Sequence, residues 1–292
     1  MWERIETQIA SALGTPFAIA RQQAIGGGDI NQGFRLEGQD GRCLFVKLNR
    51  ADRLGMFTAE AAALDALAAI ASGLHIPRPI AQGVSGDRSF LALDWLDLGA
   101  GSPDSWYQLG VGLATLHRQS ASPRSFGWER DNWIGTTPQP NPWTDTWAEF
   151  WQRHRIGYQL KLARRNGADF PNGDRLLAAI PSLLAGHEPQ PSLCHGDLWG
   201  GNAGIGQDGR PSIFDPASYY GDREVDLAMT ELFGGFPRAF YDGYRATWPL
   251  ERGYEQRREL YNLYHLLNHF NLFGGGYARQ SATVIDRLLK DA

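Results

Sequence analysis

The 292-residue sequence has few lysines: only Lys47, Lys161 and Lys290 occur among 28 basic residues. Acidic residues outnumber basic ones, and the formal net charge is −4. Proteins that bind nucleic acid or an anionic membrane through charge ordinarily carry a basic surplus. We therefore expect neither a nucleic-acid partner nor a membrane partner. Lysine is uncommon inside a strand, so the position of Lys47 in a predicted strand needs a specific reason.

Cysteine and long hydrophobic runs are also scarce. Cys43 and Cys194 are too few and too far apart for a disulfide framework, and their apolar neighbours predict two small buried thiols. The most apolar run, residues 58–74, contains Glu60 and Asp65 and is too short and too charged to span a bilayer. The first residues lack the apolar core of a signal peptide. These absences predict a cytoplasmic protein.

The spacing of apolar residues predicts a change of architecture near residue 95. Upstream, the pattern indicates strands and a main helix, whereas downstream it indicates mostly helices. We expect two lobes, residues 1–95 and 96–292. The predicted upstream elements are helices at 2–13 and 56–71 and strands at 17–25, 42–49, 80–84 and 89–94. The predicted downstream elements are helices at 108–119, 145–164, 173–184, 254–273 and 277–289 and a hairpin at 203–214.

Acidic and amide residues recur at a characteristic spacing in the downstream part. Asn202 follows Asp197 by five residues, and Asp215 comes thirteen residues later. In a kinase catalytic loop an Asp accepts the proton of the acceptor hydroxyl, and an Asn five residues on and a later Asp bind magnesium. Gly196 replaces the Arg of protein kinases, so the stretch resembles small-molecule kinases of the aminoglycoside and choline type. The alternative is that His195 to Asp197 form only a turn.

A glycine-rich segment lies between two predicted strands upstream. Its backbone N–H groups can approach an anion closely. It matches neither Gly-x-Gly-x-x-Gly nor a Walker loop, so a plain hairpin loop is the alternative. As a nucleotide-binding segment it comprises Gly26, Gly27, Gly28, Asp29, Ile30 and Asn31.

Lys47 and Glu60 follow this segment on a predicted strand and the next helix. Lysine is depleted inside strands unless a partner is present, and Glu60 alone could serve to cap the helix dipole. Together they match the Lys–Glu pair with which kinases hold the α- and β-phosphates. We expect adenine to contact the backbone where the last upstream strand ends, at Leu93, Asp94, Trp95 and Leu96.

Residues 120–144 show no periodicity, and a loop of this length is ordinarily functional or well packed. Its three tryptophans could form part of the core or a binding wall. Three further residues are predicted to have structural roles. We expect His117 to satisfy a core polar group, Asp226 to bond the catalytic-loop backbone, and Asp222 to cap a helix.

With these motifs in place, the chain resembles the fructosamine kinase (ketosamine-3-kinase) family over nearly its whole length. This resemblance implies an α+β, two-lobed, protein-kinase-like fold, with a small antiparallel sheet lobe that has one main helix and a larger, mainly helical lobe. The family uses ATP and magnesium to phosphorylate the third hydroxyl of a ketose joined to an amine, and the product then releases the amine. The matching segments are residues 26–31, 126–141, 195–202, 215–217 and 220–224.

The resemblance also assigns roles residue by residue. Asp197 is the base, Asn202 and Asp215 hold magnesium, and Lys47 and Glu60 grip phosphate. Substrate contacts fall to Trp199, as a wall for the sugar, and to Asn132 and Gln139 of the family's middle loop. Some relatives have Cys in the glycine-rich segment where this chain has Asp29, so redox control through that segment is not implied.

Two alternatives remain at this stage. One is a kinase for another small molecule, of the aminoglycoside or choline type. The other is a nucleotide-binding pseudokinase, against which the complete set of phosphoryl-transfer residues argues. The expected substrate is a ketosamine on a free or protein-bound amine, with ribulosamine or erythrulosamine used better than fructosamine. We expect a monomer.

Overall fold

The upstream part of the molecule is an antiparallel sheet with a helix on each face. The structure, a computed structural model, describes residues 1–26, 30–122 and 125–290. The five strands lie in the order β1-β2-β3-β5-β4. They are β1 (Ile19–Ile25), β2 (Gln32–Gly38), β3 (Cys43–Arg50), β4 (Pro79–Ser85) and β5 (Arg88–Asp94), and the helices are α1 (Trp2–Leu13) and α2 (Leu54–Ala68).

Alternation along β3 decides which side chains face each helix. Leu44, Val46 and Leu48 belong to a buried cluster with Ile5 and Ile9 of α1. Successive side chains of a strand point to opposite faces, so the intervening Lys47 projects toward the α2 face. The sequence therefore places the one lysine of the sheet on the side where the larger part of the molecule packs.

The rest of the chain is mainly helical. β10 and β11 form the predicted hairpin, and the short β6 pairs with β10. A pair of two-stranded sheets, β7-β8 and β9-β12, completes the strand content of this part in the described residues. The elements are β6 (Leu98–Gly99), α3 (Pro103–Gln119), β7 (Asn132–Ile134), β8 (Thr137–Gln139), α4 (Trp147–Phe150), α5 (Gly157–Arg165), α6 (Gly173–Leu183), β9 (Ser192–Cys194), β10 (Ala203–Gly206), β11 (Pro211–Ile213), β12 (Tyr219–Gly221), α7 (Glu224–Leu232), α8 (Arg238–Thr247), α9 (Tyr254–Phe273) and α10 (Tyr277–Leu288).

One predicted helix, 145–164, is wrong as a single α-helix. A π-helical segment, Trp151–Ile156, separates α4 from α5. Arg155 of this segment is fully buried, and its guanidinium lies 4.0 Å from the ring centroid of Tyr219. It also donates a hydrogen bond to Asn141 Oδ1 at 2.7 Å. The π-helical segment thus carries an arginine that anchors the loop preceding α4.

The two parts of the molecule share a hydrophobic core. Phe57 and Leu64 of α2 belong to one buried cluster together with Leu113 of α3 and Ile213 of β11. The change from sheet to helices after Asp94 supports the predicted lobe boundary near residue 95, which stays a prediction. Among the described residues, no helix is long and apolar enough to cross a membrane.

The cysteine prediction is confirmed at one position and wrong at the other. Cys194 is fully buried in the larger part. Cys43 is only half-buried, because it is the first residue of β3. The Nη2 atom of Arg35 lies 3.3 Å from its Sγ.

Asp222 forms a buried polar junction at the start of α7. It accepts a hydrogen bond from the Glu224 N–H at 3.0 Å, but Arg223 occupies the N-cap position, so the predicted cap is corrected to a contact from the residue before it. Its other oxygen accepts from His187 Nε2 at 2.7 Å and from the Tyr261 hydroxyl at 2.5 Å. Burial opposes the charge on His187, but the hydrogen bond to Asp222 outweighs it and raises the pKa of His187.

The raised pKa of His187 predicts a pH-dependent contribution to stability. A pKa higher in the folded than in the unfolded chain stabilises the protein fully below the unfolded value, and the stabilisation is lost as pH rises through the folded value. We expect the difference in unfolding free energy between the wild type and His187→Gln to shrink from pH 6 to pH 9. Urea denaturation of both proteins measures it. A constant or growing difference over this range would contradict the His187–Asp222 pairing.

Candidate active site

A cavity of about 620 Å³ lies between the sheet with α2 and the larger part of the molecule. The structure brings many of the predicted site residues to its wall, from segments far apart in the chain. They are Gly26, Ile30, Asn31, Lys47, Glu60, Asn132, Asp197, Trp199, Asn202 and Asp215. The predicted contacts Gly27, Gly28 and Asp29 lie outside the described residues.

Lys47 is the buried cation of this cavity. Its Nζ donates to Glu60 Oε1 at 2.7 Å and also to Asp215 Oδ1. Only 4% of Lys47 is exposed. Burial acts to lower the pKa of Lys47, but the carboxylates of Asp215 and Glu60 outweigh it, so the net shift is upward and the ammonium stays charged at neutral pH. One charge therefore ties β3 to α2 and to the segment after β11.

Asp215 is held in an unfavourable backbone conformation. Its φ is 59°, the one positive value for a non-glycine residue in the described part of the chain. Such a conformation persists only where the surroundings enforce it, and it clusters at functional sites. Burial would raise the pKa of Asp215, but the Lys47 ammonium lowers it overall and keeps the carboxylate ionised.

The loop that carries Asp197 depends on Gly196 and Asp226. Gly196 has φ +85°, and a Cβ there would lie 2.2 Å from the Ala217 carbonyl oxygen. This close approach explains why glycine stands where protein kinases have arginine. The Asp226 carboxylate accepts from the N–H groups of His195 at 2.7 Å and Gly196 at 2.8 Å, which confirms its predicted role.

His117 supports the same loop through its contact with Asp226. It is fully buried, and its Nε2 donates to Asp226 Oδ2 at 3.0 Å. Its Nδ1 lies 2.9 Å from the Tyr244 hydroxyl. The prediction that His117 satisfies a core polar group is confirmed.

Asp197 and Asn202 face each other inside the loop. Asn202 Nδ2 donates to the Asp197 carbonyl at 2.8 Å and lies 3.3 Å from Asp197 Oδ2. Burial, with the nearby charge of Asp215, raises the pKa of Asp197 to about 7. A carboxylate with a pKa near the working pH is suited to general-base catalysis. Because the Asn202 NH₂ group is used in these contacts, its side-chain oxygen is the atom available to a metal ion.

Trp199 forms an aromatic part of the cavity wall. It is 41% exposed, unusual for so large an apolar side chain. A Cβ at Gly201 would lie 2.4 Å from the Trp199 ring, so the indole lies across this glycine. The sequence thereby fixes a flat apolar face two residues beyond Asp197.

Asn132 and Gln139 were both predicted to contact substrate, and the structure separates them. Asn132 lines the cavity, whereas Gln139 is fully buried and does not. Gln139 Nε2 donates to Asn132 Oδ1 at 2.6 Å and to the Ala217 carbonyl at 3.0 Å, and its Oε1 accepts from the Tyr264 hydroxyl at 2.8 Å. The direct contact predicted for Gln139 is thus corrected, because its hydrogen bonds are used inside the protein.

The middle loop instead braces the segment after Asp215. Asn132 Nδ2 donates to the Ser218 carbonyl at 2.8 Å. Gly127 forms a β-bridge with Tyr220, and the rings of Trp128 and Trp143 pack on Tyr220. Two of the three tryptophans therefore serve packing, while Trp133 lines the cavity. The loop holds the backbone that positions Asp215.

The segment predicted to contact adenine does not line this cavity. Leu93 is buried in the core, and the Asp94 N–H already donates to the Arg78 carbonyl at 3.1 Å. Trp95 and Leu96 line a separate hollow of about 240 Å³. The Asp94 N–H is therefore not free to contact adenine, and this part of the prediction is corrected. Backbone contacts of Trp95 and Leu96 with adenine stay a prediction.

The sequence did not predict other residues of the cavity wall. In particular, α7, α9 and α10 were predicted only as helices. A signal was present in α9, where asparagines interrupt a buried helical stripe, since buried amides ask for partners. The missed residues of the wall include Phe45, Met56, Phe57, Met229, Phe233, Asn268, His269, Leu272, Phe273 and Tyr277.

Replacing Gln139 with Leu tests its bracing role. The change leaves the Ala217 carbonyl and the Tyr264 hydroxyl without their partner, so we expect the free energy of unfolding to fall by about 1–3 kcal/mol. Urea denaturation measures the loss, and Gln207→Leu on the exposed surface is the control, with a change within about 0.5 kcal/mol. Unchanged stability together with a raised KM for the acceptor would instead place Gln139 in contact with substrate.

Comparisons with known proteins show the family to which the chain is similar. The sequence profile of the fructosamine kinase family matches residues 1–291. A Synechocystis protein described as a probable ketoamine kinase is 52% identical over 289 residues, which is 99% of this chain and 97% of that protein. The chloroplastic protein-ribulosamine 3-kinase of Arabidopsis thaliana is 39% identical, over 93% of this chain and 83% of that protein.

Solved structures extend the likeness to the fold. A candidate fructosamine-3-kinase from Haemophilus somnus superposes with a TM-score of 0.92 at 33% identity, covering 99% of this chain and 98% of that one. A macrolide 2′-phosphotransferase from Brachybacterium faecium shares the fold alone, with a TM-score of 0.60 at 16% identity and 97% of each chain covered. The predicted two-lobed, kinase-like α+β fold is confirmed, and the chain belongs to the fructosamine kinase family.

Proposed function

We propose that this protein is an ATP-dependent kinase that phosphorylates the third hydroxyl of ketosamines and so initiates deglycation. The observation that carries the proposal is one cavity in which Asp197, Asn202 and Asp215 meet the Lys47–Glu60 pair. This set provides a base, oxygen ligands for a metal ion and a cation for phosphate, which phosphoryl transfer requires. The name of the Arabidopsis relative supports a ketosamine as the acceptor.

The nucleotide end of the site is assigned to the small lobe. Lys47, held by Glu60, meets the α- and β-phosphates once ATP competes for its contact with Asp215. The Asn202 amide oxygen and the Asp215 carboxylate are hard oxygen donors, the ligands that magnesium prefers. When bound, magnesium neutralises charge that develops on the phosphates. Asp215 would then exchange Lys47 for the metal ion.

The acceptor end centres on Asp197. Its carboxylate takes the proton of the hydroxyl that attacks the γ-phosphate, and its pKa of about 7 suits this role. The exposed indole of Trp199 offers a flat face to the apolar C–H side of a sugar. Asn132 stands at the same wall, fixed by Gln139.

The charges of the wall favour a cationic acceptor. Among the described lining residues, Lys47 is the one lysine or arginine, and its ammonium is paired with two carboxylates. His269 also lines the wall, and burial lowers its pKa, which keeps the imidazole neutral. An amine joined to the sugar is compatible with this environment, whereas an anionic acceptor would be repelled by Asp197.

Further details of the proposal rest on the sequence resemblance. We propose that ribulosamine or erythrulosamine is used better than fructosamine, on free amines or on glycated proteins. Cytoplasmic location and a monomeric state remain predictions. A kinase for choline or an aminoglycoside is the alternative.

The first functional prediction concerns the base. Asp197→Asn should fold normally and bind ATP but lose turnover by roughly 10²–10⁴-fold, because the amide cannot accept the hydroxyl proton. Steady-state turnover and binding of an ATP analogue measure the two effects, with Asp52→Asn as a surface control. Near-normal turnover of the variant would remove Asp197 from this role.

The second concerns phosphate binding. Lys47→Met should raise the KM for ATP strongly and leave the KM for the ketosamine nearly unchanged, because Lys47 faces the nucleotide end. The matched control is Lys161→Met on the exposed face of α5. Unaltered nucleotide kinetics in Lys47→Met would show that the Lys47–Glu60 pair is only structural.

The third tests the function itself. The enzyme, ATP and magnesium are supplied with ribose-, erythrose- or glucose-derived ketosamines of lysine, and NMR locates the phosphate. We expect it on the third hydroxyl, because that oxygen must lie within about 3 Å of the Asp197 carboxylate. Phosphate on another hydroxyl would contradict the assignment. Consumption of choline or kanamycin without transfer to any ketosamine would establish the alternative.

A further inference from the structure

One buried side chain of the cavity wall offers a hydrogen-bond donor that the protein does not use. Asn268 of α9 is fully buried and lines the cavity with Asn132, Asp197 and Trp199. Its Nδ2 has no hydrogen-bond partner among the described residues. Native interiors rarely leave a buried amide N–H₂ unpaired, and such a group at a cavity wall points to a ligand.

The orientation of this amide follows from its neighbours. Asn271 Nδ2 donates to the Gln159 backbone carbonyl at 3.0 Å, and a carbonyl can only accept. The same NH₂ group donates to Gln159 Oε1 at 2.8 Å, so the other end of Gln159 is its NH₂ group. That group donates to Asn268 Oδ1 at 3.2 Å. The free end of Asn268 is therefore the donor.

Asn132, another amide of this wall, cannot take its place. Asn132 uses its oxygen for Gln139 and its nitrogen for Ser218, both within the protein. The Asp197 carboxylate is an acceptor and is assigned to the reacting hydroxyl. Asn268 thus adds an unused donor to a wall that also holds the Asp197 carboxylate.

We propose that Asn268 is a specificity-determining residue that donates a hydrogen bond to the oxygen on carbon 2 of the ketosamine. This inference rests on the proposed function. Carbon 2 adjoins the carbon whose hydroxyl Asp197 deprotonates, and in the ketone its oxygen carries no hydrogen and can only accept. A donor in the same cavity as the base thereby selects an oxygen near the reacting hydroxyl, the feature that distinguishes a ketosamine from an amino alcohol without it.

The test compares two acceptors in two enzymes. The acceptors are the ribose-derived ketosamine of lysine and its analogue with a methylene group at carbon 2. For wild-type enzyme we expect kcat/KM to be about ten- to hundredfold higher with the ketosamine, because the analogue leaves the buried donor unpaired. In Asn268→Leu the two values of kcat/KM should differ by no more than about threefold, while the KM for ATP stays the same.

Asn262→Leu is the matched control. Asn262 lies on the same helix and also has an unpartnered amide atom, but it does not line the cavity. It should keep the wild-type ratio. The comparison of both acceptors with wild-type enzyme needs no variant. It therefore still tests the proposal if Asn268→Leu does not fold.

The outcomes separate this inference from the function on which it rests. A wild-type enzyme that phosphorylates both acceptors equally overturns the role of Asn268 and leaves the kinase assignment intact. The same holds if Asn268→Leu keeps the wild-type ratio. Absence of transfer to the ketosamine by wild-type enzyme overturns both the function and the inference.

Discussion

The pairing of one buried lysine with two carboxylates is the constraint on which the site depends. Lys47 belongs to the sheet, Glu60 to α2 and Asp215 to the larger part of the molecule, so a single ammonium joins three separate segments. Removing one partner of a buried ion pair leaves an uncompensated charge, which ordinarily costs about 3–5 kcal/mol. In the proposed function, Glu60 keeps Lys47 at the phosphates while Asp215 exchanges the ammonium for a metal ion.

Around this pairing, the protein uses buried hydrogen bonds to hold two loops that turn at residues with positive φ. Gly196 and Asp215 both have positive φ values, and each is fixed by groups from distant parts of the chain. Asp226 bonds the loop before Asp197, and the middle loop bonds the segment after Asp215. In the described residues, the middle loop thus braces the backbone after Asp215.

The side chains that meet in the cavity could be predicted because the chemistry proposed for them fixes local spacing. Asp197 and Asn202 lie in one loop, and Lys47 and Glu60 lie on adjacent elements, so short-range patterns sufficed. Contacts over long sequence separations could not be predicted, since no pattern in the sequence specifies that Gln139 reaches the Ala217 carbonyl or that His187 reaches Asp222. The resemblance of the middle loop assigned Gln139 to substrate, and nothing in the sequence revealed its internal partners.

Two other features escaped the sequence for physical reasons. The π-helical segment has the apolar spacing of an ordinary helix, so the sequence pattern does not reveal it. The buried position of Arg155 is seen only in the structure. The wall from α9 carries Asn268 among apolar neighbours, and only the three-dimensional hydrogen-bond network shows that its amide nitrogen is unpaired. Helical periodicity alone predicts a core position for such a residue.

The most direct test of the account is a crystal structure of the enzyme with magnesium, a non-hydrolysable ATP analogue and a lysine ketosamine. The account predicts that the third hydroxyl lies within about 3 Å of the Asp197 carboxylate and in line with the γ-phosphate. It also predicts that Lys47 exchanges its contact with Asp215 for phosphate, while Glu60 stays in place. A ketosamine bound with a different hydroxyl at Asp197, or bound outside this cavity, would contradict it.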